Sequence, residues 1–308
     1  MLYQRACSAW AHISAKGGSA ALLNGDCQAL LGAIPDNSVS LVVTSPPYCM
    51  GKEYEPGNTI EDFIAAHKQV LPEIMRVVRP GGSICWQVGY HADRGQVTPL
   101  DYLVFDAMRQ LAEPPILRNR ISWTFGHGLH CERRFSGRHE TILWFTKGEG
   151  YVFDLDAVRV AQKYPGKTAN KGPSKGLLSG NPLGKNPGDV WDIPNVKANH
   201  VEKLDHPCQF PVALARRLVA ALTKAGDIVL DPYAGVASSG VAAVLEGRRF
   251  IGAELIEEYA LLAEERLKEA QAGTLAVRED KPVHSPNPES KVVRRPDHFR
   301  IFDTAQAS

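Results

Sequence analysis

Apolar and polar positions along this chain repeat with two different periods. Residues 40–44 (SLVVT) make a short, β-branched apolar run, the pattern of a buried strand. Residues 60–78 (IEDFIAAHKQVLPEIMRVV) switch to apolar positions three and four apart, which predicts a helix. That helix should stop at Arg79-Pro80-Gly81-Gly82, where Pro and Gly interrupt it. Ser83–Val88 then reads as a strand, 100–111 as a helix and 140–146 (ETILWFT) as a strand. Beyond 161 the periodicity disappears. Residues 161–188 hold five lysines, six glycines and no acid, and read as a long basic loop. Order returns with a helix at 209–223, a strand at Asp227–Leu230, a helix at 236–247, a strand at Arg249–Glu254 and a helix at 256–271. The first 20 residues look like a poorly specified leader, and 272–308, rich in Pro and charge, like a tail.

Strands alternating with helices imply an α/β fold with a mostly parallel sheet covered on both faces. In such sheets ligands sit beyond the carboxyl ends of the strands. Composition narrows the class. Of 308 residues 44% are hydrophobic, enough for a sizeable core. A net charge of +1 means that any nucleic-acid site must come from local clustering. The six cysteines form no CxxC pair, which argues against a disulfide framework or zinc ribbon and for a reduced, cytoplasmic setting. No apolar run approaches the roughly 20 residues that span a bilayer, so no membrane partner is expected.

Two predicted strand ends carry the candidate chemistry. The first is Thr44-Ser45-Pro46-Pro47-Tyr48. Its groups suit an aromatic amino group, whose lone pair is delocalised into the ring. The Ser45 hydroxyl and Pro46 carbonyl can accept the amine hydrogens and favour a more pyramidal nitrogen. Two prolines fix φ and offer no competing amide donor. Tyr48 supplies a flat face for stacking a base. The second is Asp231-Pro232-Tyr233-Ala234-Gly235-Val236-Ala237-Ser238-Ser239-Gly240, a small-residue turn that lets a cofactor approach the backbone. Glu254, 23 positions beyond Asp231, is spaced to bind ribose hydroxyls. Gly235 and Gly240 do not form GxGxxG, which favours a nucleoside-type cofactor over a dinucleotide.

Together these segments resemble the amino-methylating DNA methyltransferases of the permuted (beta) class, in which the catalytic half precedes the cofactor half. TSPPY resembles the catalytic motif and DPYAGVASSG the cofactor loop. Asn24-Gly25-Asp26-Cys27 is similar to a segment whose acid reaches the cofactor adenine, and Glu254-Leu255 to the ribose-binding strand end. His206-Pro207-Cys208-Gln209-Phe210-Pro211 is similar to the HPxQKP segment that meets the methionine part, with Phe210 in place of the usual lysine. Ala237 likewise replaces a glycine. Arg79–Gly82 and His139–Lys147 also fit, and the resemblance covers roughly residues 22–268.

The resemblance implies a Rossmann-like S-adenosylmethionine-dependent methyltransferase core, with double-stranded DNA as partner and one base extruded. Ser45, Pro46, Pro47 and Tyr48 would be catalytic. Asp26, Cys27, Thr44, His206, Gln209, Phe210, Pro211, Asp231, Pro232, Tyr233, Gly235, Ser238, Glu254 and Leu255 would hold S-adenosylmethionine. The implied organisation is a leader (1–20), a catalytic half (21–154), a target-recognition insert (155–200), a cofactor half (201–271) and a tail (272–308). In the insert, Lys163, Lys167, Lys171, Lys175 and Lys185 are candidates for phosphate contacts. Arg133, Arg134 and Arg138, with Arg118 and Arg120 in the same cluster, can read guanine edges or replace an extruded base.

Ser at the head of the motif leans towards cytosine N4, with adenine N6 as the alternative. Class relatives are often dimers, and a cognate restriction endonuclease is a further expected partner. Cytosine C5 chemistry through Pro207-Cys208 lacks a partner motif, and His127, His130, Cys131 and His139 do not have the spacing of common zinc sites, so no metal is expected. RNA or protein methyltransferases generally run cofactor loop first. A non-catalytic DNA-binding module has no use for both TSPPY and Glu254.

Overall fold

The computed structural model describes residues 1–15, 18–48, 59–126, 128, 130–164, 166–197 and 199–278. In chain order the elements are α1 (Leu2–Ser14), β1 (Ala20–Asn24), α2 (Cys27–Ala33), β2 (Val39–Thr44), α3 (Ile60–Val77) and β3 (Val78–Val88). The hairpin β4 (Tyr90–Asp93) and β5 (Gln96–Pro99) follows, then α4 (Leu100–Arg109), β6 (Ile116–Thr124), β7 (His139–Thr146) and β8 (Val190–Asp192). The chain closes with α5 (Val212–Leu222), β9 (Ile228–Asp231), α6 (Ser238–Leu245), β10 (Arg249–Glu254) and α7 (Glu257–Ala272).

Eight strands form one sheet in the order β1-β10-β9-β2-β3-β7-β6-β8. Only β7 runs against its neighbours, so the sheet is mostly parallel, as the alternating pattern predicts. Alternation from Leu41 onwards, after a register shift between Val39 and Leu41, divides β2 between the faces. Val39 and Val42 pack under α1 to α4, while Leu41 and Val43 pack under α5 to α7. Both faces are therefore apolar and both are covered. At the sheet centre β2 pairs with β9, Leu41 opposite Val229 and Val42 opposite Leu230. Successive connections leave in opposite directions from this pair, which makes it the topological switch point.

Local chemistry sets the element ends. Thr59 and Asp62 form a reciprocal capping box that starts α3. Its other end is closed by Lys147, whose Nζ donates to the carbonyls of Met75 (2.6 Å) and Val78 (2.9 Å). α3 ends at Val77, just ahead of Arg79–Gly82, and the chain turns straight into β3, so these four residues lie within a strand that starts five residues before the expected Ser83.

Three expectations are corrected. Residues 2–14 are a helix, not a leader. Leu2, Ala6, Ala9, Trp10 and Ile13 recur at helical spacing and pack on the core, with Ala6 and Ile13 fully buried. Within the span 155–200, Val190–Asp192 is not insert but the edge strand of the main sheet, because Trp191 buries against the second core cluster. Of the expected tail, Leu275 and Val277 pack on that cluster and the Arg278 amide donates to Glu202. Residues 279–308 lie outside the described residues. No helix among the described residues is long and apolar enough to cross a membrane.

The packing of α1 predicts a measurable penalty. Ile13→Ala leaves a cavity in a site with no exposed surface and should cost about 2–4 kcal/mol in urea denaturation. A loss below about 0.5 kcal/mol would return α1 to the status of a dispensable leader.

Candidate active site

The two strand-end motifs meet at the switch point. The Thr44 hydroxyl donates to Asp231 Oδ1 at 2.6 Å, across a sequence separation of 187 residues. Both side chains are wholly buried. Asp231 also accepts from the Tyr233 amide (3.0 Å) and, through Oδ2, from the Ser239 hydroxyl. Burial pushes the Asp231 carboxyl up to about 6, against the pull of these donors. The sequence pattern predicts Asp231 on the cofactor. In the structure its oxygens accept from Thr44 on β2, the Tyr233 amide and Ser239 on α6, which ties the turn from β9 into α6 to the end of β2.

That turn leaves Tyr233 and Gly235 half-buried while burying Pro232 and Ser238. Gly235 has φ +54, and an added Cβ would stand 3.1 Å from His206 Nε2. Glycine is therefore required both by conformation and by the close approach of the HPCQFP segment. Ala237, at φ +56, takes a left-handed conformation that glycine adopts without strain, which is why its replacement of a glycine is unusual.

Glu254 ends β10 beside this turn. Oε2 accepts from the Gly235 amide and Oε1 from the Ile256 amide, both at 2.8 Å. Burial raises its pKa, and the backbone donors oppose the rise. Asn24 is its register partner on β1, and the Gly25 amide donates to the Glu254 carbonyl at 2.8 Å. Asp26 follows directly, is exposed, and caps α2 through the Gln28 amide at 2.8 Å. Cys27 hydrogen-bonds Tyr233, and burial pushes its thiol up to about 12, which keeps it neutral. The segments 24–27, 233–235 and 254 thus gather at the carboxyl ends of three neighbouring strands, β1, β10 and β9.

Behind Tyr233 lies an aromatic support. Trp86 meets its ring edge-on at 6.3 Å. The Trp86 indole donates to His67 Nε2 at 3.1 Å, so His67 carries its proton on Nδ1, facing the Phe63 carbonyl at 2.7 Å. Burial lowers the His67 pKa to about 4, so the imidazole is neutral.

In the catalytic motif Pro46 is buried, Pro47 exposed, and Ser45 and Tyr48 half-buried, with their hydroxyls 3.4 Å apart. Gln87 on β3 donates to the Tyr48 hydroxyl at 2.8 Å and makes a short hydrogen bond to Glu140 on β7. Burial, and then the Glu140 charge, hold the Tyr48 phenol well above its usual pKa. Sequence reasoning missed Gln87 and Glu140. The available signal was Gln87, a polar residue inside the apolar stretch Ile84–Val88.

Other expected residues fall elsewhere. His206 reaches the site, edge-on to Tyr259 at 4.5 Å. Gln209 is buried and holds the loop before it, donating to the Glu202 carbonyl (2.7 Å) and accepting from the Leu204 amide (3.2 Å). Phe210 packs on the second core cluster and Pro211 caps α5, so the lysine-to-phenylalanine change falls at a packing position. Leu255 stands 68% exposed past the end of β10. Lys163, Lys167, Lys171, Lys175 and Lys185 are all exposed. Arg133 is exposed, Arg134 lies over the Tyr90 ring at 5.6 Å, and Arg138 donates to the Gly137 carbonyl. Of the four residues weighed as a zinc site, His127 lies outside the described residues.

The chain is similar in sequence and fold to known proteins. A family model described as DNA methylase, of the N6/N4 type, matches residues 39–265, about three quarters of the chain. The chain belongs to the N6/N4 DNA methylase family. It is a DNA methyltransferase that uses S-adenosylmethionine to methylate an exocyclic base amino group. It is 47% identical over 243 residues to the Type II methyltransferase M.BglII of Bacillus subtilis, spanning 79% of this chain and 67% of that one. It is 32% identical over 253 residues to the DNA adenine methyltransferase YhdJ of Escherichia coli (strain K12), covering 80% and 82%. Among solved structures, a protein described as a DNA modification methylase of Thermus thermophilus, complexed with S-adenosyl-L-methionine, superposes with TM-score 0.59 at 28% identity. That match covers 85% of this chain and 99% of that one. The cytosine-N4-specific PvuII DNA methyltransferase shares the fold, with TM-score 0.64 at 20% identity over 85% and 94% of the chains.

Asp231 makes stability pH-dependent in a defined direction. Its folded pKa, about 6, lies above the ordinary 3.8, so between these values the folded state holds the proton more tightly. Its contribution is fully present below about 4 and is lost as pH rises through about 6, a change of roughly 3 kcal/mol. The Asp231→Asn variant lacks this titration. Wild-type stability relative to that variant should fall from about pH 4 to about pH 6 and level off above, in urea melts. A flat difference curve would show that the carboxyl is not perturbed.

Proposed function

We propose that the methylated atom is cytosine N4 in duplex DNA, with Ser45, Pro46 and Tyr48 around the extruded base. The observation that carries this reading is Ser45, a hydroxyl rather than a carboxylate, beside Tyr48 at the end of β2. An adenine-N6 target is the second reading, favoured by the E. coli relative named as an adenine methyltransferase.

The groups gathered at the strand ends fit S-adenosylmethionine. They offer Glu254 to ribose hydroxyls, bare backbone at Gly235, and Asp26 and Tyr233 near the adenine end. When bound, S-adenosylmethionine supplies a methyl group activated by its sulfonium. Ser45 and the Pro46 carbonyl hold the amine hydrogens and turn the nitrogen lone pair towards that carbon. Glu254, Gly235 and Asp26 would hold the cofactor, which would give up its methyl group to the amino nitrogen with the bonding pair left on sulfur and the amine proton released to water. Positioning supplies much of the rate.

The exposed lysines between 163 and 185 would contact phosphates, with the arginines near 133–138 against the bases. A homodimer and a restriction endonuclease of matching specificity are part of the proposal. The Type II name of the 47% identical relative supports the second.

Tritium transfer from labelled S-adenosylmethionine to unmethylated duplex DNA, followed by nucleoside chromatography, decides the base. Label in N4-methylcytosine is expected; label in N6-methyladenine establishes the second reading. Ser45→Ala should lower kcat by about 100-fold or more while cofactor affinity changes little. Equal loss of both would remove Ser45 from the chemistry. Converting Lys167, Lys171 and Lys175 together to Ala should flatten the plot of log affinity against log salt by about 0.9 for each phosphate no longer neutralised. An unchanged slope would place DNA elsewhere.

A further inference from the structure

Behind Ser45 and Tyr48, the catalytic motif proposed above, lies a polar pair that the transfer step itself does not use. Gln87 and Glu140 come from adjacent antiparallel strands, β3 and β7. The register puts Gln87 opposite Ile142 and Val88 opposite Thr141, which brings the Glu140 side chain beside Gln87. Gln87 is only 5% exposed. Gly89 leaves room for the cluster: a Cβ there would stand 3.3 Å from the Tyr48 ring and 3.4 Å from Glu140 Oε1.

The donors and acceptors in this cluster have a direction. A glutamine amide can present either its oxygen or its NH2 to a neighbour, and packing alone does not choose. An ionised carboxylate accepts only. Glu140 therefore selects the orientation in which Gln87 Nε2 faces it. The second Nε2 hydrogen then goes to the Tyr48 hydroxyl oxygen, at 2.8 Å. With that oxygen accepting, the single Tyr48 hydrogen is directed away from Gln87, and Ser45 Oγ stands 3.4 Å off. The phenol keeps that hydrogen, because burial and the Glu140 charge both oppose its ionisation. Were Gln87 reversed, its carbonyl would face Glu140, acceptor against acceptor, and would draw the Tyr48 hydrogen towards itself. Ser45 would lose its orienting partner.

We infer that Glu140 is a positioning residue for methyl transfer, acting through Gln87 and Tyr48 to hold the Ser45 hydroxyl in the orientation that receives the amino group. This role rests on the catalytic assignment of Ser45 and Tyr48. Glu140 stands behind Gln87 and Tyr48 rather than in the TSPPY motif itself. Its carboxylate is needed as an acceptor that cannot also donate, which is why a glutamine of the same shape does not replace it.

The test compares Glu140→Gln, Gln87→Leu and the double variant with wild-type full-length enzyme on duplex DNA. Single-turnover methyl transfer and S-adenosylmethionine affinity by calorimetry are measured for each. Glu140→Gln should slow transfer by about tenfold or more, with cofactor Kd and the KM for DNA within about twofold of wild type. If the carboxylate acts through Gln87, the double variant should be no slower than Gln87→Leu alone. Transfer by Glu140→Gln at the wild-type rate would overturn the inference, as would rate losses that multiply in the double variant. A parallel loss of cofactor affinity in both single variants would reduce Glu140 and Gln87 to structural residues and overturn it too. Wild-type enzyme that methylates no amino group overturns the functional reading along with this one. A wild type that methylates while Glu140→Gln matches it overturns this inference alone.

Discussion

The site depends on one buried hydrogen bond, Thr44 Oγ1 to Asp231 Oδ1. It joins the ends of β2 and β9, the central strand pair, where the two halves of the chain meet. A buried carboxylate is costly unless it is satisfied, and Asp231 is satisfied only if the catalytic half delivers Thr44 and the cofactor turn delivers the Tyr233 amide and Ser239. Mispairing by one residue would leave a charge in the core with too few donors. The bond therefore specifies register as much as it adds stability, and it aligns Ser45 with the turn at Gly235.

From that alignment the site is built in layers. Backbone amides of Gly235 and Ile256 hold Glu254. The neutral His67 and Trp86 support Tyr233 from behind, and Gln87 with Glu140 support Tyr48. Tyr233 and Tyr48 each have a buried partner on β3, Trp86 and Gln87. Such support fits chemistry in which placement of a weak nucleophile, rather than an acid or a metal, supplies the rate.

Legibility in the sequence followed the range of the interaction. Periods of two and 3.6 report local burial, so Arg249–Glu254 was read at its true bounds and α3 to within one residue. The leader reading of 2–14 failed because α1 mixes its apolar stripe with Gln4, Arg5, Cys7 and Ser8, and its helical state rests on packing against α2 and β1. The three-residue strand β8 is too short to show a period, and its place comes from pairing with β6. In the same way Gln209 and Phe210 match a motif by spacing, yet their side chains serve the loop 202–204 and the core.

What the sequence determined by itself was the order of strand-end motifs, TSPPY before DPYAGVASSG before Glu254, and with it the α/β class and the chemistry of an aromatic amine. Those are properties of short segments, carried by residue types that few other contexts require. Tertiary structure alone decided which groups face the site. Asp231 turned inward because burial gave it three donors, and Glu140 came to stand behind Tyr48 because β7 runs antiparallel beside β3. The Thr44–Asp231 and Gln87–Glu140 contacts join residues 187 and 53 positions apart, and their energies depend on desolvation and geometry that no local pattern encodes.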